Sequence, residues 1–106
     1  MEVVKATKPL SGAAFRHLRA LGHALAPVVF VGKEGPTESL VEAVKAALAT
    51  HELIKVKMQS GAELDRHELA ADLAKESDSI LAQVLGRTFL LYKRRIKNPK
   101  IVLPKK

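Results

Sequence analysis

The stretch Val28-Val-Phe-Val-Gly-Lys-Glu-Gly-Pro-Thr-Glu-Ser-Leu40 constrains the fold more than any other part of this chain. Its first four residues suit a pleated, buried surface and read as a short strand. Gly32-Lys33-Glu34-Gly35 ends the strand and Pro36-Thr37-Glu38 opens a helix, so the order is strand, G-x-x-G loop, helix. Two glycines permit positive φ and remove two side chains, which lets an anion approach the main chain. The helix behind the loop adds N–H groups and the positive end of its dipole, and Lys33 adds a full charge. Two readings fit: a loop that touches a phosphate backbone, or a tight strand-to-helix turn with no ligand. G-x-x-G alone does not decide between them.

Hydrophobic spacing sets the other elements around this stretch. Residues 1–9 show no period and end at Lys8-Pro9, which reads as a loose arm. Leu10, Ala14, Leu18, Leu21 and Leu25 form the stripe of an amphipathic helix, with Ser11 placed to cap it. Arg16, Arg19 and His23 share the opposite side, as a solvated face or as a basic face turned to a ligand. Pro27 separates this helix from the first strand. A second helix over residues 37–50 buries Leu40, Val41, Val44, Ala47 and Leu48, and lets Glu42 and Lys45 pair on its surface. Leu53-Ile-Lys-Val-Lys-Met58 alternates, with Ile54, Val56 and Met58 on one face and Leu53, Lys55 and Lys57 on the other. The lysine face lies along phosphates or faces water.

After a turn at residues 59–62, Ser60 and Glu63 have the spacing of a capping box. A third helix to Ser77 then buries Leu69, Ala70, Leu73 and Ala74 and turns Glu68, Asp72, Lys75 and Glu76 outward. Ile80-Leu-Ala-Gln-Val-Leu85 and Thr88-Phe-Leu-Leu-Tyr92 are strands joined by Gly86-Arg87 as an antiparallel hairpin. The last fourteen residues hold seven Lys/Arg and two Pro, a basic tail without regular structure. The expected architecture is one α/β domain over residues 10–93, a two-layer α-β-α-β-α-β-β arrangement with a four-stranded mixed sheet. Residues 1–9 form a flexible arm and 94–106 the tail.

Charge is segregated along this order. The net charge is +7, to which residues 1–33 contribute +4, residues 34–78 −5 and residues 79–106 +8. Such segregation suits a molecule with one surface turned to a polyanion, although basic ends also serve solubility. Four aromatics, Phe15, Phe30, Phe89 and Tyr92, are few for a base-stacking sheet. The absence of cysteine excludes disulfides and thiolate metal sites. His17, His23, His51 and His67 show no metal-ligand spacing, the glycine loop lacks the Walker pattern, and no nucleophile elbow is present. No enzyme, cofactor, metal or small-molecule substrate is expected. No apolar run approaches the roughly 20 residues of a membrane helix, and the start lacks a signal-peptide pattern, so a cytoplasmic address is expected, and the protein is expected to be a monomer.

Three blocks in order, Pro27-Val-Val-Phe-Val-Gly-Lys-Glu-Gly-Pro-Thr-Glu38, His51-Glu-Leu-Ile-Lys-Val-Lys57 and Gly86-Arg-Thr-Phe-Leu-Leu-Tyr92, closely resemble the CRM domain (chloroplast RNA splicing and ribosome maturation) in its single-domain bacterial, YhbY-like form. The resemblance spans residues 10–93. It implies an RNA-binding α/β domain similar in fold to the C-terminal domain of the third bacterial initiation factor. It also implies a non-catalytic role on ribosomal RNA in large-subunit precursors, assisting ribosome assembly. The implied RNA contacts are the loop, at Gly32, Lys33, Glu34 and Gly35, and the basic first helix, at Arg16 and Arg19. Lys55, Lys57, Arg87, Lys93, Arg94 and Arg95 are expected to add phosphate contacts, which position RNA without reading its sequence. A KH domain also clamps RNA with G-x-x-G, but its loop joins two helices, whereas here a strand precedes it. The alternative is a protein-interaction module that docks a partner on the acidic third helix and uses its basic ends only for solubility.

Overall fold

In the computed structural model, which describes residues 10–32, 35–59 and 65–104, the chain order is α1 (Gly12–His23), β1 (Val29–Val31), α2 (Glu38–His51), β2 (Leu53–Met58), α3 (Arg66–Glu76), β3 (Ile80–Leu85) and β4 (Thr88–Tyr92). The expected N-terminal arm and the Ser60/Glu63 capping box lie outside the described residues.

Side chains fix where each helix begins. Ser11 caps α1 by accepting from the Ala14 N–H at 3.0 Å, and Thr37 caps α2 through the Leu40 N–H at 3.1 Å. Asp65 caps α3, accepting from the N–H groups of His67 and Glu68 at 2.9 and 3.2 Å. The Glu68 amide, then that of His67, holds the Asp65 carboxyl below its ordinary pKa. Helix α3 ends in a Schellman motif, with Asp78 at φ 56°. Its two closing bonds run from Asp78 N–H to the Lys75 carbonyl at 3.2 Å and from Ser79 N–H to the Ala74 carbonyl at 2.8 Å. That geometry is how Ser77-Asp78-Ser79 breaks the helix.

The strands lie in the order β1-β2-β4-β3. β1 runs parallel to β2, with Val29 opposite Val56 and Val31 opposite Met58, and α2 is the crossover between them. β4 pairs antiparallel with both β2 and β3. In the β3–β4 turn only Gly86 takes positive φ, as in a type II′ hairpin. The mixed four-stranded sheet expected from the sequence is the one observed.

The helices divide between its faces. On one face Val29, Val31, Ile54, Val56, Met58, Phe89 and Leu91 close the main core with Val44 and Leu48 of α2 and Leu69, Ala70 and Leu73 of α3. On the other, Leu53, Ala82, Leu90 and Tyr92 form a smaller core with Leu18 of α1. The two-layer expectation is thereby refined, because α1 adds a third layer over part of the sheet. The cause lies in β4, which is buried from Phe89 to Tyr92 and so presents apolar side chains to both faces. A bulge between Leu81 and Gln83 brings Ala82 beneath α1.

The buried stripe of α1 is Ala14, Leu18 and Gly22. Leu21 and Leu25, expected in the core, are instead 38% and 36% exposed. Close approach decides this: a Cβ at Gly22 would stand 2.6 Å from Leu90 Cδ2, inside contact distance. Glycine, not leucine, lets the helix settle on the sheet.

Candidate nucleic-acid interface

One end of the sheet gathers the glycine loop, the end of β2 and the β3–β4 turn. Gln59 N–H donates to the Val31 carbonyl at 2.9 Å, and Met58 N–H donates to the Arg87 carbonyl at 2.8 Å. Gly35 is buried with φ 79°, a left-handed conformation that suits glycine, and its N–H donates to the Gly32 carbonyl at 3.1 Å. That bond ties together the two described ends of the loop. Lys33 and Glu34 lie outside the described residues.

This geometry limits what the main chain offers an anion. The Gly35 amide is engaged within the turn, Pro36 has no N–H, Thr37 already caps α2, and Glu38 puts an acid in the first turn of that helix. Among the described residues, full positive charge near the loop comes from side chains around it. Arg87 is exposed on the adjacent hairpin turn and Lys57 is exposed on β2.

Lys55 and Lys57 project from the sheet face that α1 shares. Lys57 stands between Phe30 of β1 and Thr88 of β4, while half-buried Lys55 pairs with Leu90. On α1, Arg16 is exposed and Arg19 half-buried. No strand residue is acidic. The opposite side differs: α2 and α3 expose Glu38, Glu42, Glu68, Asp72 and Glu76 against Lys45, Arg66 and Lys75, a mixed surface with an excess of acid, and Lys45 Nζ lies 3.7 Å from Glu42. Segregation of charge along the chain becomes segregation across the sheet.

Lys93, Arg94 and Arg95 do not join the loop. They follow β4 beside the start of β2, roughly 17 Å from its loop end for a six-residue strand. What holds this segment is a buried glutamate. Glu52 is only 1% exposed and takes φ 62° between α2 and β2. Its Oε2 accepts from Arg95 N–H at 3.1 Å, and its Oε1 from Lys100 N–H at 2.7 Å and Ile101 N–H at 3.0 Å. Its carbonyl accepts from Lys93 N–H at 2.8 Å. Ile101 and Leu103 pack against the small core beneath α1. The segment read as a basic tail thus runs back along the domain, clamped by one carboxylate. Burial pushes the Glu52 pKa up, but the three amides and the nearby Arg95 charge outweigh it and hold the carboxyl below its ordinary value. No pattern in the sequence could have revealed this, since the partners are main-chain amides 43 to 49 residues away.

Among the described residues no cluster of His, Asp or Glu could hold a metal ion, and no helix is long and apolar enough to cross a membrane.

Comparison with known proteins places this arrangement. The family model for the CRS1 / YhbY (CRM) domain matches residues 10–93. The chain is similar to the probable RNA-binding protein YqeI of Bacillus subtilis, 39% identical over 95 residues that cover 90% of this chain and 99% of that one. It is also similar to the probable RNA-binding protein PA4753 of Pseudomonas aeruginosa, 39% identical over 85 residues covering 80% and 79% of the two chains. Among solved structures, that of SAV1595 from Staphylococcus aureus matches with a TM-score of 0.78 at 34% identity, covering 91% of this chain and 100% of that one.

Proposed function

The chain belongs to the CRS1/YhbY (CRM) domain family, and from that premise we propose that it is a non-catalytic RNA-binding protein that binds ribosomal RNA in large-subunit precursors and assists ribosome assembly. One observation carries the reading: basic side chains without acidic neighbours on the strands collect on the α1 side of the sheet and around its loop end, while α2 and α3 carry a mixed surface with an excess of acid. A surface so polarised turns one way towards a polyanion. The names of the relatives in Bacillus and Pseudomonas support RNA as that polyanion. In this reading Lys33, Arg16, Arg19, Lys55, Lys57 and Arg87 contact phosphates, Gly32, Glu34 and Gly35 shape the loop, and Lys93, Arg94 and Arg95 extend the footprint to the far end. The protein acts as a cytoplasmic monomer.

Binding of wild type, Lys33→Glu and Lys57→Glu to purified ribosomal RNA and to large-subunit precursors, over a salt series, tests this. Affinity is expected to fall steeply with salt, and each variant to flatten the slope by about 0.7 to 0.9 for each phosphate contact removed. Salt-independent binding would overturn the reading.

A second reading has its own observation, an acid-lined groove between α2 and α3 bordered by Glu38, Glu42, Asp72 and Glu76. A module docking a basic protein segment would use it. Charge reversal at Glu68, Asp72 and Glu76 separates the two: partner capture is lost under the second reading, and RNA affinity is kept or raised under the first.

A further inference from the structure

We propose that the part of the sheet face left open beside α1 is a binding site for an unpaired nucleotide, with Phe30 as its stacking surface; the proposal rests on the RNA-binding reading above. Phe30, Lys57, Thr88 and Leu85 stand opposite one another in a single row across all four strands. At ordinary strand spacing the row is about 14 Å wide. Phe30 is 55% exposed and Leu85 60%, and Lys57 is exposed between them. α1 packs on Leu53, Leu90 and Tyr92, farther along the same face, and stops short of this row. Val28, half exposed, continues the apolar surface one step away, its N–H bonded to the Lys55 carbonyl at 3.0 Å.

The chemistry of this row selects its occupant. An exposed aromatic ring beside lysines, with no carboxylate on any strand, offers a flat apolar surface to a base and cations to the phosphates on either side. A base locked in a duplex keeps its faces stacked within the helix, so the ring can engage only a nucleotide from a single strand, bulge or loop. The scarcity of aromatics does not oppose this. Phe89 and Tyr92 are buried and Phe15 half-buried, so Phe30 is the one aromatic side chain that solvent reaches freely, and it lies on the lysine face.

The full chain is tested with two probes, a ten-nucleotide oligouridylate and a fully paired RNA hairpin. Phe30→Ala, at an exposed position, is expected to weaken oligouridylate binding roughly 5- to 150-fold, the range of one lost base stack, and to leave hairpin binding unchanged. The chain has no tryptophan, so Phe30→Trp adds one reporter, which is expected to keep binding and to lose fluorescence as the base stacks on it. If wild type binds oligouridylate and Phe30→Ala binds it equally well, this inference falls while RNA binding stands. If wild type binds neither probe nor ribosomal RNA, both fall. If Phe30→Ala leaves oligouridylate affinity intact and instead converts a sedimenting dimer to monomer, the row is a contact between copies of this chain and the proposal is overturned.

Discussion

At Glu52 the backbone adopts φ 62°, where an L side chain is strained, and the carboxylate is the reason a glutamate stands there. Glu52→Gly removes the carboxylate without leaving a strained side chain behind. It relieves the backbone and removes the acceptors of the Arg95, Lys100 and Ile101 amides. Faster hydrogen exchange at those three amides, with exchange in β2 and β4 unchanged, is the expected result. pH gives an independent check. Because the folded pKa of Glu52 is lowered, its contribution is full above the ordinary glutamate value of about 4.3 and is lost only as pH falls through the lower, folded value. Amide shifts of Lys100 and Ile101 should therefore hold steady from pH 7 to 5 and move only below that ordinary value. Gly22 makes a different demand, for space. Gly22→Ala gains helix propensity but drives a methyl into Leu90, so a net loss of about 1–2 kcal/mol is expected in chemical denaturation. The sequence showed neither residue's role, because both depend on atoms brought close only by the fold.

The elements themselves were far more legible. β2 has the bounds that its alternation indicates and β4 those that its hairpin turn and apolar run indicate, and the buried residues of α3 are the four its spacing picks out. Strong periodicity leaves few alternatives there. The cap Ser11 was also readable, since a hydroxyl before an apolar stripe has a local partner three residues on, whereas Thr37, read as the first residue of α2, is its cap. Thr37→Ala leaves the Leu40 N–H without its acceptor, and a loss of about 1 kcal/mol, seen as a fall of a few degrees in Tm, is expected. The stripe of α1 was harder to read. Leucines at positions 21 and 25 suit a helical face by spacing, yet the contact falls on Gly22, and a count of apolar residues cannot see a place where the sheet needs none.

For the molecule as a whole, the chain order was readable but the strand order was not. β2 pairs with β4 rather than with β3, a long-range choice that leaves no local mark. The charge blocks were plain in the sequence, and their meaning became spatial only when the sheet separated α1 from α2 and α3. The candidate site divides in the same way. Lys55 and Lys57 were readable as one face, whereas Phe30 joined them only through the parallel register that sets it opposite Lys57.

The Glu52 clamp carries one more consequence, for the thermodynamics of binding. Lys93, Arg95 and Lys100 are tied through their own amides, so the strap between them has little conformational freedom left to surrender when its charges meet RNA. A loose basic tail that folded onto its target would show the large negative heat-capacity change of coupled folding. Calorimetry on this protein should find that signature small, and larger once Glu52→Gly has let the segment go.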